Sequence, residues 1–163
     1  MTGKRRVSGL LDFNEHLPCC SVLEFEEKGC KVYLPTRRRG WICLSGDKYS
    51  ANHGHISKLA DLLFAWKVGN DVPLSCVLEL KSGTISVSGV VGQLQQAAQI
   101  VDQLLRGTTV SFLPVLVHDA IPTVTLRKLK DQKISFRGEK IGIHRMKCGG
   151  AVEDLKWSLA VRS

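Results

Sequence analysis

No apolar run in this 163-residue chain approaches the roughly 20 residues needed to cross a membrane. The opening Met1–Val7 is basic, but no apolar stretch long enough for a secretory signal follows it. The expectation is therefore a cytoplasmic protein with no membrane partner. Six cysteines are present, at 19, 20, 30, 43, 76 and 148, yet no two stand in a C-x-x-C pair. That spacing argues against a zinc ribbon and favours buried free thiols. A zinc site drawn from Cys19, Cys30, Cys43 and His53 or His55 is the weaker alternative. Internal repeats and low-complexity linkers are also lacking, so one domain is expected. No row of aromatics and no base-reading helix stands out, which speaks against strong sequence preference toward a nucleic acid.

What is present is charge, unevenly placed. The net charge is +8. Residues 1–60 carry ten Lys and Arg against six Asp and Glu, residues 61–123 three against five, and residues 124–163 ten against four. An acidic centre between basic flanks suits an enzyme that holds a cation and acts on a polyanion. A solvated basic surface without a partner has the same arithmetic.

The acidic centre has structure of its own. Apolar runs at Leu59–Val68 and Leu74–Leu80 flank Gly69-Asn70-Asp71-Val72-Pro73, the pattern of two strands joined by a tight turn. With the turn centred between Asn70 and Asp71, paired residue numbers sum to about 141. Asp61 then lies opposite Glu79 or Leu80, while Asp71 falls at the turn tip. Alternation puts Glu79 and Lys81 on one face. A bare E-x-K at a strand end is usually a solvated pair of side chains. Here the facing Asp61 supplies a second carboxylate, and a divalent cation relieves the repulsion between two such groups. A lysine beside them could orient a water or steady a phosphate.

A helix should follow, from about Ser88 to Leu105, capped by Ser86 or Ser88 and ended by Gly107. Val110–Val117 reads as a buried strand, with Pro114 pointing to an edge or a bulge. Upstream, residues 31–35 and 41–44 read as strands, and 45–57 as a polar loop carrying His53 and His55, second-rank candidates for general bases. Downstream, 125–131 is a short basic segment, and 134–137 with 141–146 form a hairpin around Gly138-Glu139-Lys140. A last short helix is expected over 151–160. The strand-or-helix segment 21–26 carries Glu24, a surface carboxylate or an extra ligand.

Asp61, the Glu79-Leu80-Lys81 strand end, and the helix behind them with Gln93 resemble the PD-(D/E)XK nuclease superfamily over about residues 21–112. The resemblance implies an α/β, restriction-endonuclease-like core, a mixed sheet flanked by helices, over about 21–120. Residues 124–163 add a basic hairpin and short helix. The chain departs from the family motif at Ala60, where a proline often precedes the aspartate. What the resemblance implies is a nuclease, with Asp61, Glu79, Lys81 and Gln93 catalytic. Asp61, Glu79 and the Leu80 carbonyl would hold Mg²⁺ or Mn²⁺. Arg37, Arg38 and Arg39 in a loop, and Arg137, Lys140 and Arg145 on the hairpin, are the expected backbone contacts. DNA is favoured over RNA, and the family's habit of pairing leaves a homodimer open. The rival is a non-catalytic nucleic-acid-binding module or an accessory interaction protein on the same fold.

Overall fold

The computed structural model describes residues 24–33, 42–54, 56, 58–66 and 72–152. The fold is mixed α/β. A five-stranded sheet runs in the order β3 (Ile42–Ser45), β4 (Leu62–Trp66), β5 (Leu74–Lys81), β6 (Ser111–His118), β9 (His144–Lys147). β4 runs antiparallel to both of its neighbours, β3 and β5; β5, β6 and β9 are parallel. Between them lie α1 (Gly46–Asn52), α2 (Val87–Leu104) and α3 (Thr123–Lys130). Two hairpins complete the chain: β1 (Glu24–Glu27) with β2 (Cys30–Tyr33), and β7 (Lys133–Phe136) with β8 (Glu139–Gly142).

β5 is the spine of the sheet. Leu74–Leu80 is buried throughout, as expected for a strand covered on both faces. On one face Leu63, Val77 and Leu116 meet Val90, Leu94, Ala97 and Val101 of α2. On the other, Leu62, Leu78, Leu80 and Val117 meet Cys30 and Val32 of the first hairpin. Each such side chain contributes about 1.5–3 kcal/mol when taken out of water. The helix begins where Ser86 accepts the Gly89 N–H, and Gly107 takes the left-handed backbone just beyond its end.

Pro114 sits inside the sheet without cost for a reason the register gives. Ser111 donates its N–H to Pro73, so odd residues of β6 turn toward β5 and even ones toward β9. β9 pairs only from Val115 onward. The missing N–H of Pro114 therefore faces open edge.

Several expectations change here. The stretch 45–57 contains α1 rather than loop alone. The C-terminal hairpin closes after Gly142, and His144–Lys147 leaves it to join the main sheet as β9. What remains of the hairpin does not stand free as a ribbon. Ile134 and Phe136 pack into the α2 core, and Gln95 bonds both the N–H and the carbonyl of Ser135. Cys30 and Cys148 are joined in a disulfide, against the expectation of free thiols; Cys76 is free and buried. The expected helix at 151–160 lies mostly outside the described residues. No helix among the described residues is long and apolar enough to cross a membrane.

Candidate active site

Asp61 is held from two directions. Behind it, α1 begins at Gly46, whose N–H donates to the Asp61 carbonyl at 2.9 Å. A Cβ at Gly46 would stand 1.9 Å from the Ala60 carbonyl oxygen, so only glycine allows this approach. Ahead of it, β4 pairs Leu62 with Leu78, and extending that register sets Asp61 opposite Glu79. β4 ends there, leaving the Leu80 N–H without a ladder partner. The Asp61 carboxylate supplies one, with Oδ2 accepting that N–H at 2.8 Å. Because N–H and C=O of one strand residue leave on the same side, the Leu80 carbonyl also faces the gap beyond β4.

Glu79 is fully buried, in line with Val77 on the α2 face and paired across to Leu116. Lys81, next on the same face, brings its Nζ to 2.5 Å from Glu79 Oε1. The contact is a short ion pair between a partly exposed amine and a carboxylate closed off from solvent. Burial, then the nearby Asp61 charge, push the Glu79 carboxyl up to about 7, with Lys81 opposing. Asp61 rises to about 6 because it too is desolvated, although the Leu80 N–H draws it back; Glu27 and Asp47 add like charge. Two carboxyls that resist ionising sit side by side at an open end of the sheet. That is the arrangement a cation stabilises.

These residues fit a hard divalent ion. Two carboxylates and one carbonyl suit Mg²⁺ or Mn²⁺, which keep several waters and take oxygens from a phosphate. Among the described residues no group of three or more His, Cys, Asp or Glu is assembled, so neither a thiolate zinc site nor an all-protein calcium cage is formed there. His53 is exposed and turned to its own helix, with Nδ1 2.9 Å from the Tyr49 carbonyl and its ring stacked on Tyr49. Glu24 pairs with Lys31 at 3.2 Å on the exposed face of the first hairpin.

Gln93 is half-buried on α2, and no hydrogen bond joins it to Asp61, Glu79 or Lys81. Arg137 lies along the surface, folded back onto the end of α2. Its guanidinium bonds Asp102 and the Leu105 and Thr108 carbonyls, closing the C-terminal end of α2, which leaves it little to offer a polyanion. It borders a cleft of about 730 Å³ at the start of β6, the opposite end of the sheet from Glu79. Lys140 reaches Ser135 and stays exposed. Arg145 is exposed on β9, within the main sheet. Arg37, Arg38, Arg39 and His55 lie outside the described residues.

Three residues near the pair carry no strong signal in the sequence. His118 and Lys147 flank Lys81 across β6 and β9. Lys58 adopts a left-handed backbone three residues before Asp61, and its stem lies 3.9 Å from where a Cβ of Gly92 would be. Only the position of His118 and Asp119 at a strand end hinted at the first.

Comparison with protein-family models, with curated proteins and with solved structures finds no match.

Proposed function

We propose that the protein is a metal-dependent nuclease that hydrolyses phosphodiester bonds, acting on DNA in preference to RNA and with weak sequence preference. One observation carries the reading: a fully buried glutamate, its carboxyl pushed up to about 7 by burial although Lys81 stands 2.5 Å away, beside a second raised carboxyl at an open sheet end. A buried carboxylate left in that condition costs several kcal/mol unless something charged compensates it. Lys81 supplies part of that compensation, and the remaining negative charge suits a divalent cation. The order of elements supports the same reading. β3, β4 and β5, with α1 between the first two, are followed by a helix and the parallel strand β6; Asp61 immediately precedes β4 and Glu79 lies on β5, an order compatible with the nuclease resemblance.

When bound, Mg²⁺ or Mn²⁺ would polarise the phosphate and lower the pKa of a coordinated water. Asp61 and Glu79 would supply its carboxylate ligands and the Leu80 carbonyl a third oxygen, with Asp61 steadied by the Leu80 N–H on its Oδ2. Lys81, tethered to Glu79, is close enough to orient the attacking water or to meet charge as it builds on the phosphate. Water adds at phosphorus and gives up a proton to solvent, the P–O bond to the leaving sugar breaks, and the departing oxygen takes up a proton from solvent. In a cytoplasmic setting the Cys30–Cys148 bond would be under reducing pressure.

The test is direct. Purified protein is incubated with single-stranded and duplex DNA and RNA in Mn²⁺, Mg²⁺ or EDTA. Cutting should need the metal and be lost in Glu79→Gln and Lys81→Ala. Tight binding with no cutting at high protein would leave the binding-module reading in its place.

A further inference from the structure

We infer that a nucleic-acid backbone track crosses the sheet from Lys81 over β6 to β9, with His118 and Lys147 as its phosphate contacts. The register places them. Lys81 pairs with His118, and His118 pairs with Lys147, so the three side chains leave the same face in one row at the C-terminal ends of parallel strands. Glu79, Leu116 and Arg145 form the next row inward on that face. Adjacent strands are about 4.8 Å apart, so the row reaches about 10 Å from β5 to β9. Ligands of open parallel sheets bind outside such strand ends.

The charges in this row call for an anion. Among the described residues no carboxylate pairs with Arg145 or Lys147, and both are exposed. His118 is half-buried, with its Nδ1 sealed from solvent. Burial, then Arg145 and, more weakly, Lys147, hold its imidazole below the ordinary range, while the Asp119 backbone and carboxylate pull the other way. Cations that depress a neighbouring base are close to it and incompletely neutralised. Lysines on an edge strand also blunt edge pairing, but that role needs no histidine beside them and no shared face with an acidic pair. A phosphodiester backbone suits the row: Lys147 gives the charge and His118 the N–H of Nε2, its Nδ1 being sealed.

The track rests on the nuclease reading for its purpose, and its failure is separable. Binding of fluorescent single-stranded and duplex DNA oligonucleotides is measured in EDTA across a salt series, using the full chain. Lys147→Ala should lower the slope of log affinity against log salt by about 1, as losing one phosphate contact does. Lys147→Glu should weaken binding further, Lys147→Arg should restore it, and His118→Gln should weaken it at every salt concentration. Lys31→Ala, on the hairpin covering the other sheet face, should match wild type. Thermal melts confirm that each variant is folded; Lys147 is exposed, so its variants keep the test decisive if His118→Gln unfolds. Wild-type slopes in both Lys147→Ala and Lys147→Glu would overturn the track. A wild type that binds these oligonucleotides but cuts none in Mn²⁺ would overturn the nuclease reading and leave the track standing.

Discussion

Replacing Glu79 by glutamine should stabilise the metal-free protein at alkaline pH while abolishing cutting. The argument is proton linkage. The Glu79 carboxyl has an ordinary value of 4.5 and is raised to about 7 in the folded protein, chiefly by burial. Below pH 4.5 both folded and unfolded chains hold the proton, and burial carries no ionic cost. Between 4.5 and 7 the unfolded chain releases it first, so stability falls as pH rises. Above 7 the loss is complete. At about 1.4 kcal/mol per pH unit the gap corresponds to about 3 kcal/mol. Glutamine removes that penalty but gives up the ion pair with Lys81, costing about 1 kcal/mol. The net gain is about 2 kcal/mol at pH 8.5, or roughly 5 °C in Tm for a chain of this size.

The assay is thermal and urea unfolding in EDTA at pH 5 and 8.5. The variant should be the more stable at 8.5 and no better than wild type at 5. Mn²⁺ should reverse the order at 8.5, because it binds the ionised wild-type pair and a hundredfold excess over Kd adds about 2.7 kcal/mol. If Glu79→Gln loses the same stability at both pH values, the carboxylate is not stored as a penalty in the folded state, and the case for a cation there collapses.

Three other outcomes follow from the packing. Gly46→Ala drives a methyl into the Ala60 carbonyl; it should cost about 1–3 kcal/mol and, by shifting Asp61, slow cutting about 100-fold, read by melts and by initial rates in Mn²⁺. Cys148→Ser, or reductant acting on wild type, opens a link spanning 118 residues; loss of about 3–5 kcal/mol is expected in urea, with no effect of reductant on the variant. Arg137→Ala should lower stability by about 2 kcal/mol through its lost bonds to α2 and leave the salt dependence of DNA binding unchanged, which filter or fluorescence titration can check.

How much of this was legible in the sequence depends on how far apart the partners lie. Asp61 and Glu79 are 18 residues apart across one turn, and turn position plus alternation set their register: the observed pairs sum to 140, one short of the expected value. α2 was legible for the same reason, since its 3.6-residue pattern and its serine cap are local. Arg137 misled because alternation was carried through a hairpin that stops at Gly142. At the turn its backbone goes left-handed and its side chain swings to the end of α2. The Cys30–Cys148 bond had no local signature at all.

The row beside Lys81 lies at the far end of that scale. His118 is 37 residues from Lys81, and Lys147 is 29 beyond His118; the first pairing is a parallel crossover through α2, and the second crosses a helix and a hairpin. Parallel pairing has no turn to fix its register, so nothing in the intervening residues says which basic side chain lands beside which. The sequence showed basic flanks around an acidic centre, and a sum of charges over 40 residues is indifferent to where each one goes. Folding makes it specific: Arg137 is withdrawn to an α-helix end, Lys140 stays on the hairpin, and Lys147, which composition did not distinguish from its neighbours, is set on the face that Glu79 and Lys81 share. If a polyanion is bound here, its path is determined by the crossover topology more than by the number of lysines, and moving charge between Lys140 and Lys147 should not be neutral.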